Sequence, residues 1–176
     1  MRRQASGVVT AWVLGALGIL GCGGDPANET NTYFYRGSNE TRSPDGQSIG
    51  SGETLLRRVF DGPRNQIIEH VITRDAQQGT QENTLTFAVT GSTFKDEAAG
   101  ITGELVGEPW EWTRWTARTT LPNGLALESI STIDEDAVTI DMTFRSGDAV
   151  QFTLKHSITA ISQSNFEQQR AQWVSQ

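Results

Sequence analysis

The chain has a single cysteine, Cys22, in 176 residues. With no second cysteine, the fold gains nothing from an intrachain disulfide, and a Cys-ligated metal site is excluded. Positive charge is also scarce: 14 lysines and arginines stand against 21 aspartates and glutamates, a net charge of −7. Nucleic acid needs a basic patch against its phosphates, so this balance excludes it as a partner. Long apolar runs are missing too. Val8 to Leu20 is an uncharged run of 13 residues that holds two glycines, whereas a spanning helix needs roughly 20 apolar residues. Chemical signatures are sparse. There is no HExxH pattern, no phosphate loop and no dinucleotide fingerprint. No acyl-transfer nucleophile stands out, so neither an enzyme nor a cofactor is expected.

What is present begins at the N-terminus. Met1-Arg2-Arg3 is positive, Val8 to Leu20 is apolar, and Gly21 precedes Cys22. A positive start, a short apolar middle and a small residue before the cut make a secretory signal peptide. Ile19-Leu20-Gly21-Cys22 resembles the lipobox of bacterial lipoproteins. The resemblance covers residues 1–22. It implies cleavage between Gly21 and Cys22 and attachment of a diacylglycerol thioether to Cys22. Two or more acyl chains, at ~0.8 kcal/mol per buried CH₂, hold firmly where one chain binds only marginally. Gly23 rather than Asp follows the cysteine, which in the enteric pattern favours the outer membrane, facing the periplasm. Removing residues 1–21 leaves 155 residues with 12 basic and 21 acidic side chains, a net −9. Such a balance offers no electrostatic grip on anionic lipid, so the acyl group is the expected membrane hold.

The expected organisation is a signal peptide over 1–21, a lipidated flexible tether over 22–32 and one domain over 33–176. Residues 23–32 (GGDPANETNT) are polar and rich in Gly and Asn, as a tether is. Thr32–Arg36 is a short aromatic strand candidate, and Gly37–Gly52 reads as a long polar loop around Pro44-Asp45-Gly46. Period-2 alternation then dominates. Strands are predicted over Glu53–Phe60, Gln66–Arg74, Asn83–Thr90, Ile101–Val106, Trp110–Leu121 and Leu125–Ile133 and in two final runs, with a short strand or bend around Phe94. Val138, Ile140, Met142 and Phe144 mark one of these, and Val150, Phe152, Leu154, His156 and Ile158 the other. Ser164 with Glu167 forms a capping-box pattern, predicting a helix from about residue 164 to 174 with Phe166 and Trp173 on one face.

About nine strands joined by short turns, without βαβ alternation, predict an all-β antiparallel up-and-down meander. Its edges are best removed by closure into a barrel or half-barrel. The fold is similar to the lipocalin and fatty-acid-binding class, although the lipocalin glycine–tryptophan signature is absent. A two-sheet sandwich is the second choice. Apolar faces interrupted by Arg and Glu argue against a membrane-spanning barrel.

Candidate ligand contacts come from aromatic and imidazole groups. Trp110 and Trp112 share one predicted strand face that Arg114 and Arg118 continue, with Trp115 on the other. This arrangement suits either an aromatic ligand wall or plain packing with cation–π pairs. His70 lies in phase with Ile68 and Ile72, and His156 with Leu154 and Ile158. If both faces point inward, the two imidazoles share one interior. The carboxylates Glu69 and Asp141 fall on the opposite faces by period, which weakens a metal site there. Asp134-Glu135-Asp136 lacks EF-hand spacing, and nothing fixes the separation of Glu128 and Asp141. The functional expectation is a lipid-anchored carrier of a small apolar or amphipathic ligand. The alternative is a structural or protein-interaction lipoprotein with a filled core.

Overall fold

The computed structural model describes residues 28–75, 79–107 and 112–175. Ten antiparallel strands run in sequence order around a closed barrel. They are β1 (Thr30–Arg42), β2 (Ser48–Asp61), β3 (Gln66–Asp75), β4 (Gly79–Thr90), β5 (Thr93–Asp96), β6 (Ile101–Val106), β7 (Arg114–Thr120), β8 (Ala126–Asp134), β9 (Ala137–Ser146) and β10 (Ala149–Ala160). The last strand returns to the first, with Tyr35 opposite Ala160 and Arg42 opposite Thr153. Closure pairs the two edges that a ten-strand meander would otherwise expose. The all-β barrel expected from the alternation is therefore the observed fold, closed rather than half open.

Alternation sets the two sides of the wall. In β3, Ile67, Glu69 and Val71 face the lumen, while Ile68, His70 and Ile72 face out. Phe60, Ile67, Phe87, Val89, Phe94, Leu105, Trp112 and Trp115 pack one end of the lumen. Tyr35, Leu56, Val138, Ile140 and Ile158 line the wall beside them. The outer wall carries exposed charges, among them Arg57, Lys95, Glu104, Arg118, Asp141 and Lys155. Where β1 to β3 are apolar on both faces, the outside is covered. Leu55, Ile72 and Phe34 there receive Phe166 and Trp173 from helix α1 (Gln163–Val174). The amphipathic pair predicted for this helix thus rests on the barrel's exterior. Its N-cap is Ser162, which accepts from the Asn165 amide, rather than Ser164 as the capping-box spacing suggested. Ser162 Oγ and Ser164 Oγ lie 3.0 Å apart.

Four further expectations are corrected. The predicted Gly37–Gly52 loop shrinks to residues 43–47, because β1 and β2 continue through most of it. Gly37, Gly50 and Gly52 are strand glycines, and Gly46 alone stays in the turn with a φ of 85°. A Cβ on Gly37 would lie 2.0 Å from the Ser157 carbonyl oxygen, so close backbone approach, not a turn, explains the residue. β1 also begins at Thr30, inside the stretch read as tether. The strand predicted over Trp110–Leu121 starts only at Arg114. Finally, Phe94 earns a strand of its own, raising the count to ten. It lies over Gly103, where a Cβ would sit 2.2 Å from Phe94 Cζ. The glycine that weakens β6 as a strand makes the seat for this ring.

Candidate functional site

The lumen is packed at one end and open inside at the other. Trp112, in the β6–β7 connection, is 4 % exposed and joins Phe60 and Trp115 at the packed end. Above them lies a cavity of about 120 Å³. Its wall is mostly apolar, with Val71, Leu85, Ile101, Leu127, Ile140 and Met142 around it. Thr119 and Leu127 carry it toward the β7–β8 turn. A water needs roughly 10–15 Å³ of such space, so the cavity has room for several waters or for part of a small organic molecule.

A buried ion pair lies at this level. Arg58 on β2 and Glu69 on β3 are direct cross-strand partners, and Arg58 is fully buried. Its Nε donates to Glu69 Oε1 at 2.7 Å, and its Nη2 donates to the same oxygen. Nη2 also donates to Ser131 Oγ on β8 at 3.2 Å. The guanidinium carbon stands 3.9 Å from the centroid of Trp115 on β7. β2 and β7 are diametrically opposite in the strand order. The arginine therefore crosses the lumen, held by carboxylate, hydroxyl and indole face together. Nη1 is the one buried side-chain polar atom without a hydrogen-bond partner among the described residues. Burial pushes the nearby Tyr35 hydroxyl up from its ordinary value, partly offset by the Arg58 charge.

The second polar group is a chain from β1 through β2 to β10. Asn39 Nδ2 donates to the Glu53 carbonyl at 3.2 Å and to Thr54 Oγ1 at 3.0 Å. Thr54 Oγ1 lies 2.9 Å from His156 Nδ1. His156 is 3 % exposed and lines the cavity. Burial pushes its imidazole down to about 4, so the ring is neutral at pH 7.

The predicted site residues separate. His156 faces the lumen, but His70, in the same apolar phase, does not join it. Its strand face points outward beneath α1, where Nε2 lies 2.6 Å from Glu82 Oε1 and the ring meets the edge of Phe166. Arg170 of the helix donates to that same Glu82 oxygen at 3.0 and 2.9 Å. These bonds, Arg170 foremost, hold the Glu82 carboxyl below the usual carboxylate range. Trp112 is a packing residue off the strand, sharing its cluster with Trp115 rather than opposing it. Arg114 is exposed at the start of β7, and Arg118 pairs outside with Glu128 at 3.0 Å. Asp141 faces Lys155 across β9 and β10. Among the described residues no cluster of His, Cys, Asp and Glu is arranged to hold a metal. Gly21, Cys22 and Trp110 lie outside the described residues.

One motif needs its context. Gly46-Gln47-Ser48-Ile49-Gly50 spells Gly-x-Ser-x-Gly, a pattern that requires a strand–turn–helix elbow. Here it lies across the β1–β2 hairpin turn, with exposed Ser48 opposite Arg42. Ser48 hydrogen-bonds Glu40, and both histidines have other partners.

Arg58, Thr54 and Asn39 are groups that sequence reasoning passed over, and Glu69 was weighed there only as a metal ligand. Their signal is an inward phase: Arg58 falls between Leu56 and Phe60, and Glu69 between Ile67 and Val71. A charge interrupting an apolar period on each of two adjacent strands is the pattern of a buried pair. No protein-family model matches the chain, and a search of curated proteins finds no relative.

Proposed function

We propose that this chain is a lipid-anchored extracytoplasmic lipoprotein whose barrel carries a small, largely apolar ligand. The observation that supports the carrier reading is the cavity itself. A barrel filled by side chains would have no such space, and this one keeps about 120 Å³, bordered by Trp115 and His156. An apolar wall with a few convergent polar groups is the usual composition of a small-molecule site. The anchor rests on Ile19-Leu20-Gly21-Cys22, and β1 begins at Thr30, a short tether beyond it.

Native mass spectrometry of the protein from its own host tests the carrier. A reproducible adduct removed by organic extraction is expected, and a clean apo mass that does not shift on adding lipids refutes it. For the anchor, Cys22→Ser is expected to abolish processing and membrane association. Retention of the Cys22→Ser protein on membranes after a high-salt wash defeats that part.

A further inference from the structure

We infer that the ligand is an uncharged, mostly apolar molecule bearing a hydrogen-bond acceptor, and that the Nε2–H of His156 reads that acceptor. This deepens the carrier reading and rests on it. The argument runs along the hydrogen-bond chain. The Glu53 backbone carbonyl can only accept, so the Asn39 atom 3.2 Å from it is the amide nitrogen. That same nitrogen donates to Thr54 Oγ1. The threonine hydroxyl accepts there, and its other partner among the described residues is His156 Nδ1 at 2.9 Å; a donating Nδ1–H would leave the buried hydroxyl hydrogen without an acceptor, so the hydroxyl donates to Nδ1. A neutral imidazole whose Nδ1 accepts carries its proton on Nε2. His156 makes no other hydrogen bond among the described residues, and it lines the cavity. The chain Asn39–Thr54–His156 therefore orients one donor, Nε2–H, on a mostly apolar cavity wall whose other polar side chains are Glu69, Arg118, Thr119 and Ser129.

Charge decides the rest. Arg58 lies behind Glu69, which is the ionic side chain of that pair lining the cavity. Both Arg58 bonds to Glu69 end on Oε1. An anionic head group in the cavity meets the carboxylate before the guanidinium and gains no unpaired cation. An ammonium has no lone pair to accept from Nε2–H, and it adds an unbalanced charge beside Arg58. A carbonyl, ester or ether oxygen satisfies the donor without that desolvation cost.

The test is calorimetric titration of the full chain at pH 7 with octan-2-one, octane, octanoate and octylamine, beside the His156→Leu variant. Nitrogen-15 NMR of the His156 ring in the wild-type protein gives a second reading. Octan-2-one is expected to bind roughly tenfold more tightly than octane, one neutral hydrogen bond's worth. His156→Leu should erase that preference while still taking up octane. Octanoate and octylamine should bind at least about a hundredfold more weakly than the ketone. The NMR spectrum should show a protonated Nε2 and a bare Nδ1. A proton on Nδ1, a charged probe binding as well as the ketone, or an unchanged preference in His156→Leu overturns the inference while leaving the carrier reading intact. Absence of binding by all four probes overturns both. Should His156→Leu not fold, the tautomer in the wild-type ring still decides.

Discussion

Replacing Glu69 by leucine is expected to be among the most damaging single changes in the barrel. Arg58 Nε and Nη2 both donate to Glu69 Oε1, and the arginine has no exposed surface through which water could take over. Loss of the carboxylate leaves a buried guanidinium with only Ser131 Oγ and the Trp115 face. Breaking a buried pair from one side costs roughly 3–5 kcal/mol. Arg58→Met should cost less, about 2–4 kcal/mol, because Glu69 borders the cavity and its carboxylate can be hydrated there. In the double variant Arg58→Met/Glu69→Leu no charge is left stranded. Methionine fills much of the arginine's path against Trp115, and the loss should shrink to about 0–2 kcal/mol. Urea unfolding followed by tryptophan fluorescence on all four proteins gives the double-mutant cycle. A coupling of more than about 2 kcal/mol is expected. If the two single losses simply add, Arg58 and Glu69 are not a mutually dependent buried pair, and the account of a lumen strut fails.

Three further outcomes follow from features elsewhere in the barrel. His156 titrates at about 4 when folded against 6.5 unperturbed, so the unfolded chain takes up the proton first. Its neutral state favours folding fully above about pH 6.5, and stability drains as pH falls toward 4, by an amount on the order of 3 kcal/mol. Unfolding curves at pH 7 and pH 4.5 should therefore differ less for His156→Gln than for wild type, and equal differences would refute this. Gly103→Ala places a methyl against Phe94 and the Thr116 carbonyl, an overpacking expected to cost about 1–3 kcal/mol by the same measurement. Glu135 holds a left-handed φ of 49° in the β8–β9 turn, so Glu135→Gly should raise stability by up to about 1 kcal/mol, read as a higher melting temperature.

β4, β9 and β10 were legible because each shows one apolar and one polar face, and short turn signals bound the strands from β3 onward. The hairpin of β1 and β2 was hidden by composition. Its outer half is rich in Ser, Asn, Gly and Thr, and only pairing of the two strands to each other, of β1 to β10 and of β2 from Gly52 to β3 makes these residues strands. Trp112 was misplaced for the opposite reason. An aromatic run reads as a strand, yet Trp112 is worth more turned into the packed end beside Phe60. His70 and His156 sit in identical apolar phases, so alternation alone could not tell which face of β3 looked inward. Helix α1 settles it: its Phe166 and Trp173 need an apolar outer wall, and Leu55 and Ile72 supply that. The Asn39–Thr54–His156 chain depends on β1 lying between β2 and β10, a neighbourhood no local pattern encodes.

The seam between β1 and β10 also sets a timetable. Every other strand pairs with its immediate neighbours in sequence, so hairpins from β2 to β9 can form as soon as both arms exist. β1 gains its second partner only when Ala149–Ala160 arrives, joining residues as distant as Tyr35 and Ala160. Until then one side of β1 is an unpaired ribbon edge, and the outer apolar patch of Phe34, Leu55 and Ile72 lacks its helix. Closing so long a loop is slow relative to local pairing. The nascent chain therefore passes through a stage in which its first strand is sticky along an edge and on a face, and both are sealed by the last 28 residues described, 148–175. Truncation anywhere in that final segment should yield an aggregating chain rather than a smaller barrel.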